Sequence, residues 1–326
     1  MKGLSIPVLH GATGNTPDER DTVRTALAVR DALVSLGGQS WLVTLDQGAD
    51  SLDTLAAEQP DLVFNLVEAI DGLAGPAAAI PKALARRDLP FTGCGAEASW
   101  VCRSKVAQKV RMRSAGLPTP AWSQNGASLA RAPKVIVKSI TEHASLGIEQ
   151  SSVMSGRRAV QFIADRMAQT GDPHFAEAFV DGREFALSLL ETDDDLRVLP
   201  PAETLFVGYG DDVHHIVDYD AKWVEDSHGY QNTPRRFDFP EADDALLEEL
   251  QRLARACWDL FGLSGYARID FHVDDTGQPW ILEVNTNPCL APDAGFMAAA
   301  AEAGLTFEAV IAKIVSAGLR TTKKAA

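Results

Sequence analysis

Four side chains with complementary chemistry fall in one short stretch, Gly265 to Pro288: Arg268, Asp270, Glu283 and Asn285. The stretch reads as two runs rich in β-branched and aromatic residues, joined by a turn at Asp275-Thr276-Gly277-Gln278, which predicts a β-hairpin. Side chains alternate faces along a strand, so Arg268 and Asp270 share one face of the first run, and Glu283 and Asn285 one face of the second. With Thr276-Gly277 as the loop, Asp270 falls opposite Glu283 and Arg268 opposite Asn285. Two carboxylates, an amide oxygen and a guanidinium then converge. Hard oxygen ligands so arranged suit Mg²⁺, which is held through one or two carboxylates plus substrate phosphates. The alternative is a salt-bridged face turned to solvent.

Those residues need a large scaffold, and the chain supplies one. Its 326 residues are enough for two or three domains with real cores, and 46% hydrophobic with 23% charged residues is ordinary for a globular protein. A net charge of −15 argues against general binding to nucleic acid or membranes, which favour basic surfaces. Cys94, Cys102, Cys257 and Cys289 show no metal-type spacing and follow no signal peptide, so reduced thiols and a cytoplasmic location are expected. No apolar run approaches the ~20 residues of a membrane span.

The opening is α/β in style. Leu4 to Leu9 is a short apolar strand, followed by the Gly-rich turn His10-Gly-Ala-Thr-Gly14 and a helical pattern from Asp18 to Leu36. Strands over 40–45 and 62–66, with a helix between, and a helix over 76–87 continue the alternation. A parallel sheet over residues 1–95 is expected. Next come a helix from Ser104 to Ala115, a strand Val135 to Lys138, and strands 175–180 and 183–190 around Asp181-Gly182. Residues 209–240 read as a long functional loop. An amphipathic helix follows over 246–261, then a last helix over 307–315 and a frayed basic tail from Arg320.

Taken together, these pieces resemble the ATP-grasp enzymes and, within them, the D-alanine–D-alanine ligases. The likeness covers nearly the whole chain and is closest from about Lys105 to Pro288. It implies an α/β domain with a parallel sheet (1–95), followed by an ATP-grasp fold of two α+β lobes: a central lobe with the phosphate loop (96–180) and a C-terminal lobe with the lid loop and the Mg²⁺ hairpin (181–326). Lys105 and Lys138 match the family's two ATP lysines. The segment Ser139 to Ile148 matches its phosphate-covering loop, with Glu142, Ser145 and Gly147 in step. The stretch Glu177-Ala-Phe-Val-Asp-Gly-Arg-Glu184 matches the adenine-binding linker. There the resemblance gives Glu177 the exocyclic amine, the Phe179 and Val180 backbone the ring edge, and Glu184 the ribose hydroxyls. Lys222 matches a lid lysine on the γ-phosphate. Asp270, Glu283 and Asn285 carry over as ligands of two Mg²⁺ ions, with Mn²⁺ able to substitute. Arg268 and the backbone N–H of Cys289 hold charge in the tetrahedral intermediate. The implied reaction joins a small carboxylate to an amine through an acyl phosphate, in a homodimer.

The substrate side departs from that pattern. The family's Glu–Ser–Tyr trio falls on Asp18 or Glu19, on Ala144 and on Trp223. Its substrate histidine is missing from Asn65-Leu-Val-Glu68-Ala-Ile-Asp-Gly72. After Asn287-Pro288 the chain runs Cys289-Leu-Ala-Pro-Asp293-Ala-Gly295, so Asp293 stands where a substrate carboxylate is expected. Glu68, Trp223 and Asp293 are therefore the candidate substrate residues, and the acceptor is expected to be an amine other than D-alanine, without a nearby carboxylate or with an added positive charge. D-alanine itself, and a nucleotide-binding protein without ligase activity, are the alternatives.

Overall fold

The computed structural model describes residues 1–11, 16–45, 50–193, 195–210 and 212–325. Part of the Gly-rich turn after His10 lies outside them. A three-stranded parallel sheet opens the chain, in the order β2 (Leu42–Thr44), β1 (Val8–His10), β3 (Phe64–Asn65). The helix Pro17–Ser35 starts with Thr16 and Glu19 in a reciprocal capping box and buries Ala26, Val29 and Leu33 against this sheet. That core is completed from the far end of the chain: Val310, Ile311, Ile314 and Val315 of the helix Phe307–Ala325 join Ile6, Val8 and Phe64. This helix runs through the segment expected to fray, and Arg320 pairs with Asp193 and Glu191. The helix expected over 76–87 is two short ones, Ala74–Ala77 and Ile80–Ala85, with Pro81 in the first turn of the second.

The central lobe is a four-stranded antiparallel sheet ordered β4 (Trp122–Ser123), β7 (His174–Ala178), β5 (Val135–Ser139), β6 (Val153–Met154), covered by the helix Gly156–Thr170. The C-terminal sheet runs β11 (Arg235–Arg236), β10 (Ala202–Thr204), β8 (Arg183–Glu191), β12 (Tyr266–Val273), β13 (Pro279–Asn285), with β9 (Leu196–Val198) also on β8. The helix Asp244–Phe261 packs beneath it. So β7 and β8, consecutive in sequence, lie in different sheets, and residues 179–182 are the crossing between lobes. Gly182 has φ +149°, and a Cβ there would stand 2.0 Å from the Val273 carbonyl oxygen. A side chain at this crossing would collide with the end of β12.

The expected hairpin forms, with Asp270 opposite Glu283 and Arg268 opposite Asn285. Two compensating irregularities give that register. The loop holds three residues, Asp275 to Gly277, closed by Gly277 N–H on Asp274 O at 2.9 Å with Gly277 at φ +82°. A bulge at Leu282 then shifts the pairing back between Phe271 and Asp270.

β13 is an edge strand, and its outer side is closed by the segment 105–119. The fully buried Gln108, on the helix Lys105–Ser114, accepts from Val284 N–H at 2.7 Å and donates to Val284 O at 3.1 Å. Ile281 N–H donates to Pro118 O and Ile281 O accepts from Thr119 Oγ1, each at 2.9 Å. An edge that would otherwise bury unpaired backbone groups is thus satisfied on both sides of Glu283. Gln108→Leu leaves both Val284 groups without a partner and is expected to cost about 2–4 kcal/mol. Urea unfolding should show a lower midpoint with unchanged slope; an unchanged midpoint contradicts the clamp.

Candidate active site

One face of the C-terminal sheet carries the chemistry as a cross-strand row. Glu184 on β8 lies opposite His272 on β12, Ala186 opposite Asp270, and Ser188 opposite Arg268, while β13 adds Glu283 and Asn285. The small Ala186 leaves room above Asp270. Arg268 grips Asp270 with two hydrogen bonds of 2.6 and 2.7 Å, the fork geometry that suits a carboxylate. Glu283 has Lys105 Nζ at 3.3 Å. Burial works to raise the Glu283 carboxyl, but the Lys105 ammonium and the Arg268 guanidinium outweigh it and hold it well below the usual carboxylate range.

Facing this row across a cleft of about 930 Å³ is the central sheet. Lys138 extends from β5 to Glu177 Oε1 at 2.8 Å, and the second Glu177 oxygen is taken by the fully buried Lys109. Burial would push the Glu177 carboxyl up; the two ammonium groups reverse that and keep it ionised. Glu177 therefore lines the cleft chiefly as the group that aims Lys138. Lys105, Lys138, Glu142, Ser145, Glu177, Phe179, Val180, Glu184, Lys222, Asp270 and Glu283 all line this one cleft. Gly147 is exposed and lies outside its lining, in the same loop.

The loop that caps the cleft is held in a costly shape. Ala144 and Ser145 have φ +57° and +61°, and Leu146 N–H donates to His143 O at 3.1 Å, a tight turn that ordinarily favours Asn or Gly. Three contacts keep it there. Glu142 accepts from the Ala74 N–H at 3.2 Å, Ser145 Oγ donates to Val217 O at 2.7 Å, and Lys105 donates to Glu142 O. The helix Tyr219–Trp223 adds a fourth: Trp223 Nε1–H donates to Ala144 O at 3.0 Å. Where the family pattern has paired hydroxyls, an indole reaches a backbone carbonyl, so the loop and lid stay joined. Lys222, on the same helix, has no carboxylate within ion-pair distance among the described residues, and burial together with Arg268 lowers its pKa.

Cys289 and Trp223 line a neighbouring cleft of about 690 Å³ together with Asp18, Glu19, Asp21 and Glu68. The Cys289 thiol donates to Asp21 Oδ2 at 3.2 Å. Asn285 borders a third cleft, which Glu68 also lines. Asn287 secures this junction: it accepts from Tyr266 Oη–H at 2.6 Å and donates to Val67 O at 3.1 Å. Asp293 corrects the sequence expectation. It is exposed and lines none of these three clefts; Arg24 bridges it to Asp21, at 2.7 Å from each, and the carboxylates that line the clefts are those of Asp18, Asp21 and Glu68. Sequence reasoning also passed over Gln108, Lys109, Asp21, His143 and His272. Lys109 and Gln108 follow Lys105 in one helix, and their burial on its apolar face was a usable signal. His143 lines all three clefts, and burial beside Lys105 brings it down to about 4, a neutral imidazole whose Nδ1 has no hydrogen-bond partner among the described residues.

The donor set at the hairpin suits Mg²⁺. It offers oxygens only, two of them carboxylates and one an amide. Among the described residues no group of three or more His, Cys, Asp or Glu is placed to hold a metal unaided. A site completed by phosphate and water fits that composition. Two lobes closing on such a face define the ATP-grasp class.

Residues 114–316 match the family model for the D-ala D-ala ligase C-terminus. The D-alanine–D-alanine ligase of Laribacter hongkongensis is 32% identical over 312 residues, covering 93% of each chain, and that of Methylococcus capsulatus is 30% identical, covering 94% of this chain and 93% of its own. The solved D-alanine–D-alanine ligase of Bacillus anthracis complexed with ATP has the same fold, with a TM-score of 0.76 at 19% identity over 99% of this chain and 100% of that one. The chain belongs to the D-alanine–D-alanine ligase family. It is an ATP-dependent ligase that forms a C–N bond, with ATP and Mg²⁺ as cofactors.

Trp223→Phe keeps a ring but removes the N–H on Ala144 O. Cleavage within 205–218 by limited proteolysis should quicken about fivefold, as expected for one hydrogen bond of ~1 kcal/mol, with the unfolding midpoint nearly unmoved. Equal cleavage rates contradict the latch.

Proposed function

We propose that the chain joins a carboxylate substrate to an amine other than D-alanine through an acyl phosphate, and that this acceptor carries an added positive charge. In this reading Lys105, Lys138 and Lys222 neutralise the triphosphate, with Glu142, Ser145 and Gly147 in the loop that covers it. Glu177, Phe179 and Val180 border the adenine, and Glu184 takes the ribose hydroxyls. Asp270, Glu283 and Asn285 hold Mg²⁺, which when bound offsets charge on the transferring phosphoryl group. Substrate carboxylate attacks the γ-phosphorus, ADP leaves, and the amine then attacks the acyl carbon. Arg268 and the Cys289 N–H steady the oxyanion until phosphate departs and an amide remains. Trp223 and the loop it fastens keep water from the acyl phosphate. A homodimer belongs to the same proposal and is supported by the family resemblance.

The observation that carries the acceptor reading is the acidic wall of Asp18, Glu19, Asp21 and Glu68 beside Cys289. Burial pushes the Glu68 carboxyl up to about 8, and Asp21 adds to the rise. A cation bound there reverses both effects; a second carboxylate would worsen them. The names of the relatives favour D-alanine as acceptor, and this is the second reading.

Phosphate release from ATP and Mg²⁺, measured with amino acids and amines singly and in pairs, separates the two. The first reading expects release that depends on a cationic acceptor, at a rate at least about tenfold above that with D-alanine alone, a difference of ~1.4 kcal/mol in the barrier. Full activity with D-alanine as sole substrate would establish the second.

A further inference from the structure

His272 occupies a place in the nucleotide cleft that the reaction does not yet use. It is 6% exposed on β12, directly opposite Glu184 on β8. Its Nδ1 lies 2.7 Å from the Val180 carbonyl oxygen, and its Nε2 lies 3.3 Å from Glu184 Oε2. A backbone carbonyl has no proton to give, and neither has an ionised carboxylate. Both ring nitrogens are therefore donors. The imidazole ties the crossing between the lobes to the carboxylate at the start of β8.

Gly182 makes the first of these contacts possible. Its lack of a Cβ lets the crossing pass against the Val273 carbonyl, which brings Val180 O within reach of β12. Glu184 has no other hydrogen-bond donor among the described residues. Without His272, its carboxylate would be free to rotate in a cleft that holds several lysines.

We propose that His272 is a positioning residue for the nucleotide: it clamps Val180 and Glu184 together, so that the adenine-edge backbone and the ribose-binding carboxylate present one rigid surface. The inference rests on the assignment of Glu184 to the ribose. Asn and Gln separate its two contacts, since an Asn side-chain amide can reproduce the Nδ1 donor and a Gln amide the Nε2 donor.

The test is the ratio of kcat/KM for ATP to that for 2′-deoxyATP, measured for wild type, Glu184→Gln, His272→Met, His272→Gln and the double variant His272→Met/Glu184→Gln. His272→Met is expected to raise KM for ATP about tenfold, as for a hydrogen bond to a charged group, while kcat falls less than twofold. It should also lower the ATP preference toward that of Glu184→Gln, and His272→Gln should restore part of it. In the ATP to 2′-deoxyATP ratio the double variant should be no worse than Glu184→Gln alone, because His272 reaches the ribose only through that carboxylate. A His272→Met enzyme that keeps its ATP preference while Glu184→Gln loses it overturns the proposal and leaves the ribose assignment standing. Full preference in both variants overturns both.

Discussion

Carboxylates cannot crowd a half-buried face unless cations answer them, and the architecture of this protein follows from that constraint. Leaving one buried charge unpaired costs several kcal/mol, commonly about 3–5. Asp270 is answered by Arg268 two residues before it, but Glu283 needs Lys105 from a helix far back in the chain. Glu177 needs Lys138 from the neighbouring strand and Lys109 from the same distant helix. The helix Lys105–Ser114 thus serves both sheets at once. Its Gln108 and the Pro118–Thr119 segment fasten β13 on either side of Glu283, and its two lysines balance the carboxylates of both lobes. In the proposed site these pairs are also replaceable: phosphates and Mg²⁺ would bring the same charges in reverse order, so that Arg268 and Lys105 pass from carboxylate to substrate without leaving a buried charge exposed.

Around this balance the loop over the cleft is held by few bonds. The cap over the cleft has two residues in left-handed conformations, and contacts from Ala74, Val217 and Trp223 hold it in place. Two of these contacts come from one segment, 217–223, and the third from residue 74. Backbone strain is thus concentrated in the segment that covers the cleft, where the surrounding contacts must hold it.

Much of this was readable in the sequence, because the decisive face depends on a period of two. Arg268, Asp270, Glu283 and Asn285 could be placed on one surface from alternation alone. Their register was inferred from a two-residue loop, whereas the chain uses a three-residue loop and cancels it with the bulge at Leu282. Local pattern gives no sign of such a pair of irregularities. Long-range packing was harder still. The local pattern over residues 174–191 reads as a hairpin, and it is the family resemblance that divides β7 from β8; nothing local says that the helix Phe307–Ala325 completes the core of the first sheet. Asp293 was misplaced for a similar reason. Its pairing with Arg24 depends on how the helix Pro17–Ser35 meets residues 289–295, and that meeting is a tertiary event. His272 gives no local sign of a functional role because its partner, Glu184, comes from another strand, and the partner of Lys109, Glu177, is likewise a tertiary neighbour.

The most direct test of the charge-exchange account is a crystal structure with Mg²⁺ and a non-hydrolysable ATP analogue, read at the Arg268–Asp270 pair. The account predicts metal on the Asp270, Glu283 and Asn285 oxygens, with Arg268 and Lys105 turned from their carboxylates toward the phosphates. An intact two-bond Arg268–Asp270 pair, with the triphosphate bound elsewhere, would contradict it.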